Sequence, residues 1–259
     1  NFVGFELPGR TLGVIGLGAI GTSVANTAYD LGMNVVGYDP AITVERAWQL
    51  SSAIESANTV DELLAKSDFV TVHVPLNEGT KDLINASRIS TMNNNAVILN
   101  FSRDGIVNDK DVVAALDSGK LYAYICDFPS NLLKDHPRVI TLPHLGASTA
   151  EAEENCAVMI ADQLKDFLEN GNIKNSVNFP AVKLPRVEGY RMAIANANVP
   201  NMVGQISSIL AETGHNILDL INKSRGEVAY TLLDVDTVVT ADVVERIKNI
   251  DGVLSVRTL

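Results

Sequence analysis

Residues 16–21 read Gly16-Leu17-Gly18-Ala19-Ile20-Gly21, and three glycines at this spacing limit what the chain around them can fold into. The run before them, residues 11–16 (TLGVIG), is short, apolar and partly β-branched, which predicts a buried strand. After them, Ile20, Val24, Thr27, Ala28 and Leu31 fall on one side of a helix over 19–31, and Gly32 stands where a C-cap glycine ends it. In a strand–turn–helix of this kind Gly16 permits the tight bend. Gly18 leaves room for a pyrophosphate to touch backbone, and Gly21 lets helix and strand pack closely. Free backbone N–H groups at the helix N-terminus and the positive end of its dipole then face the phosphates. The next strand, 34–38 (NVVGY), is followed at once by Asp39. A carboxylate there accepts both ribose hydroxyls of NAD and repels the extra phosphate of NADP. The spacing therefore points to a dinucleotide, and Asp39 narrows it to NAD.

The rest of the front half alternates strand and helix. A helix around 43–50 follows, then strand 68–74 ended by Pro75, short helical pieces, strand 96–101, helix 108–118 capped by Asn108 and closed at Gly119, strand 121–126 and strand 138–142. This alternation predicts an α/β fold with a doubly wound parallel sheet covered by helices on both faces. Residues 148–170 predict one long helix, with Ser148 as N-cap and Glu151 completing a capping box. Residues 171–186, rich in Asn and Pro, read as a linker. From 187 onward the order is strand, helix, strand, strand, helix, strand, a βαββαβ ferredoxin-like unit with a hairpin turn at Arg225-Gly226. The division expected is 1–170, 171–186 and 187–259.

Two further segments carry chemistry. Phe101-Ser102-Arg103-Asp104-Gly105 follows a strand, so Arg103 reaches the carboxyl-end cleft of a parallel sheet, where its guanidinium can grip a carboxylate with two hydrogen bonds. Pro143-His144-Leu145-Gly146 also follows a strand, and an imidazole there can take a hydroxyl proton as hydride leaves the same carbon. Taken singly, each has an ordinary reading as a solvated arginine or a structural histidine. His73 reads as structural or cleft-lining, and His136 and His215 as loop residues.

Composition excludes several classes. The 259 residues are 46% hydrophobic and 20% charged, with a formal net charge of −11, which repels a nucleic-acid backbone. No apolar run reaches the roughly 18 residues of a membrane span. Residues 1–15 carry no basic n-region or small-residue cleavage site. Cys126 and Cys156 lack metal-ligand spacing and read as reduced thiols of a cytoplasmic protein. No histidine cluster suggests a metal.

Together these motifs resemble the D-isomer-specific 2-hydroxyacid dehydrogenases. Glu6-Leu7-Pro8-Gly9-Arg10-Thr11 through Gly16 is similar to that family's entry into its NAD domain. His73-Val74-Pro75-Leu76, the Arg103 segment and Pro143 through Thr149 follow in the family's order. The C-terminal unit resembles an ACT domain, with Asn198-Val199-Pro200-Asn201 near its first turn and His215-Asn216-Ile217 at its second strand. The resemblance implies a Rossmann NAD-binding domain followed by an ACT regulatory domain. It makes Ala19 and Ile20 pyrophosphate contacts within the cofactor-binding run that includes Gly16, Gly18 and Gly21, Asp39 the ribose contact, and Val74 and Pro75 the flank of the adenosine. Phe101, Ser102, Arg103, Asp127, His144 and Gly146 would line the nicotinamide side. Arg103 is similar to the substrate-orienting arginine and His144 to the acid–base histidine. Asn196, Asn198 and Asn216 fall where serine binds as effector between two subunits.

This domain pair implies NAD-dependent oxidation of 3-phospho-D-glycerate to 3-phosphohydroxypyruvate in serine biosynthesis, by a homo-oligomer, dimer or tetramer. The alternatives are another 2-hydroxyacid dehydrogenase, such as a glyoxylate or hydroxypyruvate reductase, or a non-catalytic NAD-sensing scaffold. The resemblance also implies a substrate domain upstream of the segment given, so that this chain is the cofactor and regulatory part and does not by itself complete a phosphoglycerate site. Three departures from the family pattern stand out. Cys126 to Leu132 holds no Glu to pair with the histidine, Asn131 being the nearest equivalent. Asp104 replaces a glycine that a left-handed turn would favour. In the ACT-like unit Asn196 replaces a histidine and Asn201 a glycine.

Overall fold

The computed structural model describes residues 4–259, which divide by contact density into two compact units, up to Leu145 and from Gly146 onward. In the first unit, strands β1 (Thr11–Ile15), β2 (Asn34–Tyr38), β3 (Glu55–Ser56), β4 (Phe69–Val72), β5 (Ala96–Asn100), β6 (Leu121–Cys126) and β7 (Val139–Thr141) alternate with helices. The helices are α1 (Ala19–Asp30), α2 (Val44–Ala47), α3 (Val60–Lys66), α4 (Ala86–Thr91) and α5 (Asp109–Asp117). Every strand pair is parallel and the sheet order is β3-β2-β1-β4-β5-β6-β7. The doubly wound sheet expected from the alternation is therefore present. Strand order reverses between β1 and β4, so the loops after these two strands diverge and open a crevice at the sheet's carboxyl edge.

Period-2 alternation sets the two faces. Leu12 and Val14 pack with Ala25 and Ala28 of α1, whereas Ile15 joins Leu63, Leu64, Ile84, Ile98 and Leu116 under α3 to α5. Helix α3 and strand β3 are not read from the sequence. Helix α3 lies close to β1 because Gly13 has no side chain; a Cβ there would collide with Leu63 and Ser67. Thr59, Asn85 and Asn108 cap α3, α4 and α5 by accepting from the N–H three residues on. Helix α1 starts at Gly18, with no capping side chain and no acidic residue in its first turn.

The second unit contains helix α6 (Ala150–Asn170), then β8 (Tyr190–Ala197), α7 (Met202–Glu212), β9 (Ile217–Arg225), β10 (Val228–Val235), α8 (Ala241–Lys248) and β11 (Val253–Thr258). Its antiparallel sheet runs β11-β8-β10-β9, the order of a ferredoxin-like βαββαβ unit. The two-residue hairpin loop is Gly226-Glu227, one residue later than expected, because Arg225 still pairs with Val228 and Gly226 takes the positive φ. The N-cap of α6 is Thr149 rather than Ser148: its backbone is extended and its Oγ1 accepts from Ala152 N at 3.1 Å. Gly171, at φ 72°, closes the helix as expected.

Met192 and Ile194 face α7 and α8, while Ala193 and Ala195 face the other way. That second face is covered by Val182, Leu184, Ile173 and Phe179, and by Phe167 of α6. The segment read as a linker is thus packed on the sheet. Arg191 fastens it: the buried guanidinium donates to both carboxylate oxygens of Asp234, at 2.7 and 2.6 Å, and to the carbonyls of Asn170, Leu184 and Pro185.

Candidate active site

The expected site residues of the first unit lie at the carboxyl edge of the parallel sheet, in loops after its strands or, for Ala19, Ile20 and Gly21, in the first turn of α1. Gly16, one residue past β1, has φ 91°, and a Cβ on it would meet the His73 carbonyl at 2.6 Å. A Cβ on Gly21 would collide with the Gly16 carbonyl oxygen, so both glycines are set by steric contact within the fold. Gly18 is different. Its φ is ordinary and nothing lies within 4 Å of a Cβ built there. Gly18, Ala19 and Ile20 are exposed, with Ile20 at 68%. An uncapped helix start with open space over its first N–H groups suits an anion.

Asp39 follows β2 and is half-buried. Its Oδ2 accepts from Leu17 N at 2.8 Å and its Oδ1 from Ala41 N at 2.9 Å. It therefore braces the glycine turn, and each oxygen keeps a further lone pair for hydroxyl donors. These residues fit the phosphates and ribose of a dinucleotide. Across the crevice, after β4, Val74 is half-buried and Pro75 exposed. His73 hydrogen-bonds Thr71 Oγ1 at 3.0 Å, and burial pushes its pKa below the ordinary imidazole value, in keeping with a neutral lining group.

After β5, Asn100 organises the next loop. Its Nδ2 donates to the Arg103 carbonyl at 3.0 Å and its Oδ1 accepts from Ser102 N at 3.2 Å, while Ser102 Oγ donates to the Val72 carbonyl at 2.6 Å. Phe101 is partly exposed, and Arg103 is exposed with no carboxylate in ion-pair range among the described residues. Asp104 does not adopt the left-handed backbone expected of it; Gly105, at φ 77°, supplies that turn one residue later.

After β6 come Asp127 and Phe128, and after β7 comes His144. His144 Nδ1 lies 2.8 Å from Asp127 Oδ2. The Phe128 ring stacks on the imidazole, centroids 4.4 Å apart, and the Arg103 guanidinium lies 5.8 Å from the same ring. Arg103 and His144 are thus brought together around Phe128, which sequence reasoning did not single out. The available signal was positional: Cys126 ends β6 at the same edge as Asn100. Asn131, the expected substitute partner for the histidine, sits exposed in a 3-10 turn at Asn131–Leu133 and does not hydrogen-bond it. His136 bonds Asp117 away from this group, and His215, in the second unit, hydrogen-bonds Thr213. Among the described residues no His, Cys, Asp and Glu cluster could hold a metal, and no helix is long and apolar enough to cross a membrane.

Gly146, also expected beside the nicotinamide, is exposed and opens the second unit. In that unit Asn196 is buried, its Nδ2 donating to the Ala197 carbonyl while its Oδ1 has no partner. Asn198 donates to the Gly226 carbonyl, and Asn216 is exposed, its N–H donating to Asp236. Asn201 takes the left-handed backbone, φ 63°, of the glycine it replaces.

The family model for the D-isomer specific 2-hydroxyacid dehydrogenase NAD binding domain matches residues 1–146. The chain belongs to the D-isomer specific 2-hydroxyacid dehydrogenases. Its first unit carries that family's NAD-binding domain, and its cofactor is NAD. It is 33% identical to D-3-phosphoglycerate dehydrogenase of Haemophilus influenzae over 98% of this chain and 64% of that protein. The corresponding enzyme of Methanocaldococcus jannaschii is 35% identical over 98% of this chain and 52% of its own length. The chain therefore spans between half and two thirds of these relatives. Among solved structures, D-mandelate dehydrogenase of Rhodotorula graminis superposes with TM-score 0.58 at 29% identity, covering 63% of this chain and 49% of that one. A glyoxylate reductase from Paecilomyes thermophila gives TM-score 0.60 at 29% identity, covering 68% of this chain and 54% of that one.

Proposed function

We propose that this chain is the cofactor-binding and regulatory part of a D-3-phosphoglycerate dehydrogenase, which oxidises 3-phospho-D-glycerate to 3-phosphohydroxypyruvate on the route to serine. The observation that carries the reading is the convergence of Arg103 and His144 on one ring, Phe128, at the sheet edge that also holds the glycine turn. In this reading the α1 N-terminus at Gly18, Ala19 and Ile20 holds the pyrophosphate and Asp39 the ribose. Val74 and Pro75 flank the adenosine, and Phe101 and Ser102 lie toward the nicotinamide. NAD, when bound, supplies the hydride acceptor. The guanidinium of Arg103, free of ion pairs among the described residues, orients the substrate carboxylate. His144 takes the hydroxyl proton as the carbon–hydrogen bond gives up its hydride, leaving the keto acid and an imidazolium.

We assign the second unit to the ACT class from its sheet order, and L-serine to Asn196, Asn198 and Asn216 between two copies of a dimer or tetramer; the unpartnered, buried Asn196 Oδ1 supports an effector contact there. This unit also favours phosphoglycerate over the substrates named for the similar reductase and mandelate enzyme.

NADH fluorescence titration of the chain and of Asp39→Ala tests the cofactor site. Turnover assays of the full-length protein with 3-phospho-D-glycerate, glyoxylate and hydroxypyruvate test the substrate. Preference for glyoxylate would sink the phosphoglycerate reading. A full-length protein that binds NADH but whose rate is unchanged in His144→Ala would favour a scaffold.

A further inference from the structure

Asp127 stands closer to the chemistry than a lining residue. We propose that Asp127 is the positioning carboxylate of His144, fixing its tautomer so that Nε2 is the ring's free base. The proposal rests on the hydride-transfer reading above for its purpose, but not for its geometry.

Four observations carry it. First, His144 Nδ1 and Asp127 Oδ2 are 2.8 Å apart, and a carboxylate oxygen only accepts, so the proton of the neutral ring lies on Nδ1. Second, the two partners differ in rigidity. Asp127 is 9% exposed and joins the sheet through its N–H to the Asn100 carbonyl, whereas the His144 side chain is 46% exposed on a loop whose neighbours are all exposed. The imidazole is thus held from the Asp127 side. Third, Phe128 covers one face of the ring, so a hydrogen bond in its plane and a stack on its face together define its orientation. Fourth, Asp127 Oδ1 is buried without a hydrogen-bond partner among the described residues. A carboxylate kept buried with half its acceptor capacity unspent costs stability, which a merely structural residue at this position would not need to do. No other side chain hydrogen-bonds His144 among the described residues.

The consequence is a division of labour. With Nδ1 committed to Asp127, only Nε2 can receive a proton from a hydroxyl group, and the imidazolium formed is held beside a negative charge. Asn131 has no part in it.

Nitrogen-15 NMR of the chain decides this, with His144→Gln used to assign the resonances. The expected spectrum shows the neutral His144 ring almost wholly in the Nδ1–H form, and Asp127→Leu, which removes the acceptor at similar volume, abolishes that bias. The other three histidines report whether the variant is folded. A His144 ring that mixes both tautomers in the parent chain, or an Asp127→Leu spectrum with the bias intact, overturns the proposal. Should Asp127→Leu not fold, the parent spectrum alone still decides. Where turnover of the full-length protein is measured, the variant loses kcat by about a hundredfold or more, and a kcat insensitive to the substitution overturns the proposal. Failure of the chain to bind NADH would sink the hydride-transfer reading while leaving the tautomer result standing.

Discussion

Phe128 packs its ring against the imidazole of His144, centroids 4.4 Å apart and planes tilted by 37°, and carries the Arg103 guanidinium 5.8 Å from its centroid. One aromatic side chain thus spaces two groups that come from different loops, after β5 and β7. Phe128→Ala removes the spacer and is expected to lower kcat about tenfold or more, because small misplacements of reacting groups are costly. Phe128→Tyr keeps the ring and is expected to keep the rate. Steady-state turnover of the two variants checks this; equal rates for Ala and Tyr would remove Phe128 from the site.

The glycines of the first turn are expected to separate into two behaviours. Gly21→Ala puts a methyl group against the Gly16 carbonyl and should destabilise the first unit by about 1–3 kcal/mol. Gly18→Ala meets no atom of the protein. It should leave the thermal midpoint nearly unchanged yet weaken NADH binding about tenfold or more, since the added methyl occupies the space over the helix start. Thermal denaturation together with NADH titration separates the two.

Much of the first unit was legible because its signals are local. The glycine spacing, Asp39 after a strand, and a run of alternating strands and helices need no knowledge of distant contacts. Helix α3 was not legible, because its seven residues are too few for a clear helical period and its place depends on Gly13 in another element. The pairing of Asp127 with His144 is a contact across 17 positions between two loops, and sequence order alone favoured the motif position of Asn131. In the second unit the βαββαβ order followed from alternation. Packing of residues 171–186 on the sheet did not, because Asn and Pro content reads as a linker whatever the apolar residues among them touch.

The two thiols should react very unequally. Cys156 is exposed on α6, whereas Cys126 is buried at the end of β6 and burial pushes its thiol up to about 11. Between pH 7 and 9 Cys126 stays protonated and shielded. Alkylation with iodoacetamide followed by peptide mass spectrometry is expected to label Cys156 fast and Cys126 only after denaturant is added. Fast labelling of both in the native chain would contradict the packing of β6.

Arg191 and Asp234 form a buried bidentate pair whose guanidinium also satisfies the carbonyls of Asn170, at the end of α6, and of Leu184 and Pro185, on the segment that covers the sheet. Arg191→Met leaves the Asp234 carboxylate buried without its counter-charge and three carbonyls without their donor. The expected loss is about 3–5 kcal/mol, the usual result of removing one partner of a buried pair. Asp234→Leu combined with Arg191→Met removes the stranded charge and should recover part of that loss, but not all of it, because the carbonyls remain undonated. Urea denaturation of the parent, the single variant and the double variant measures both steps. A double variant as unstable as Arg191→Met would mean that the carbonyl contacts, rather than the ion pair, hold residues 171–186 against β8 and β10.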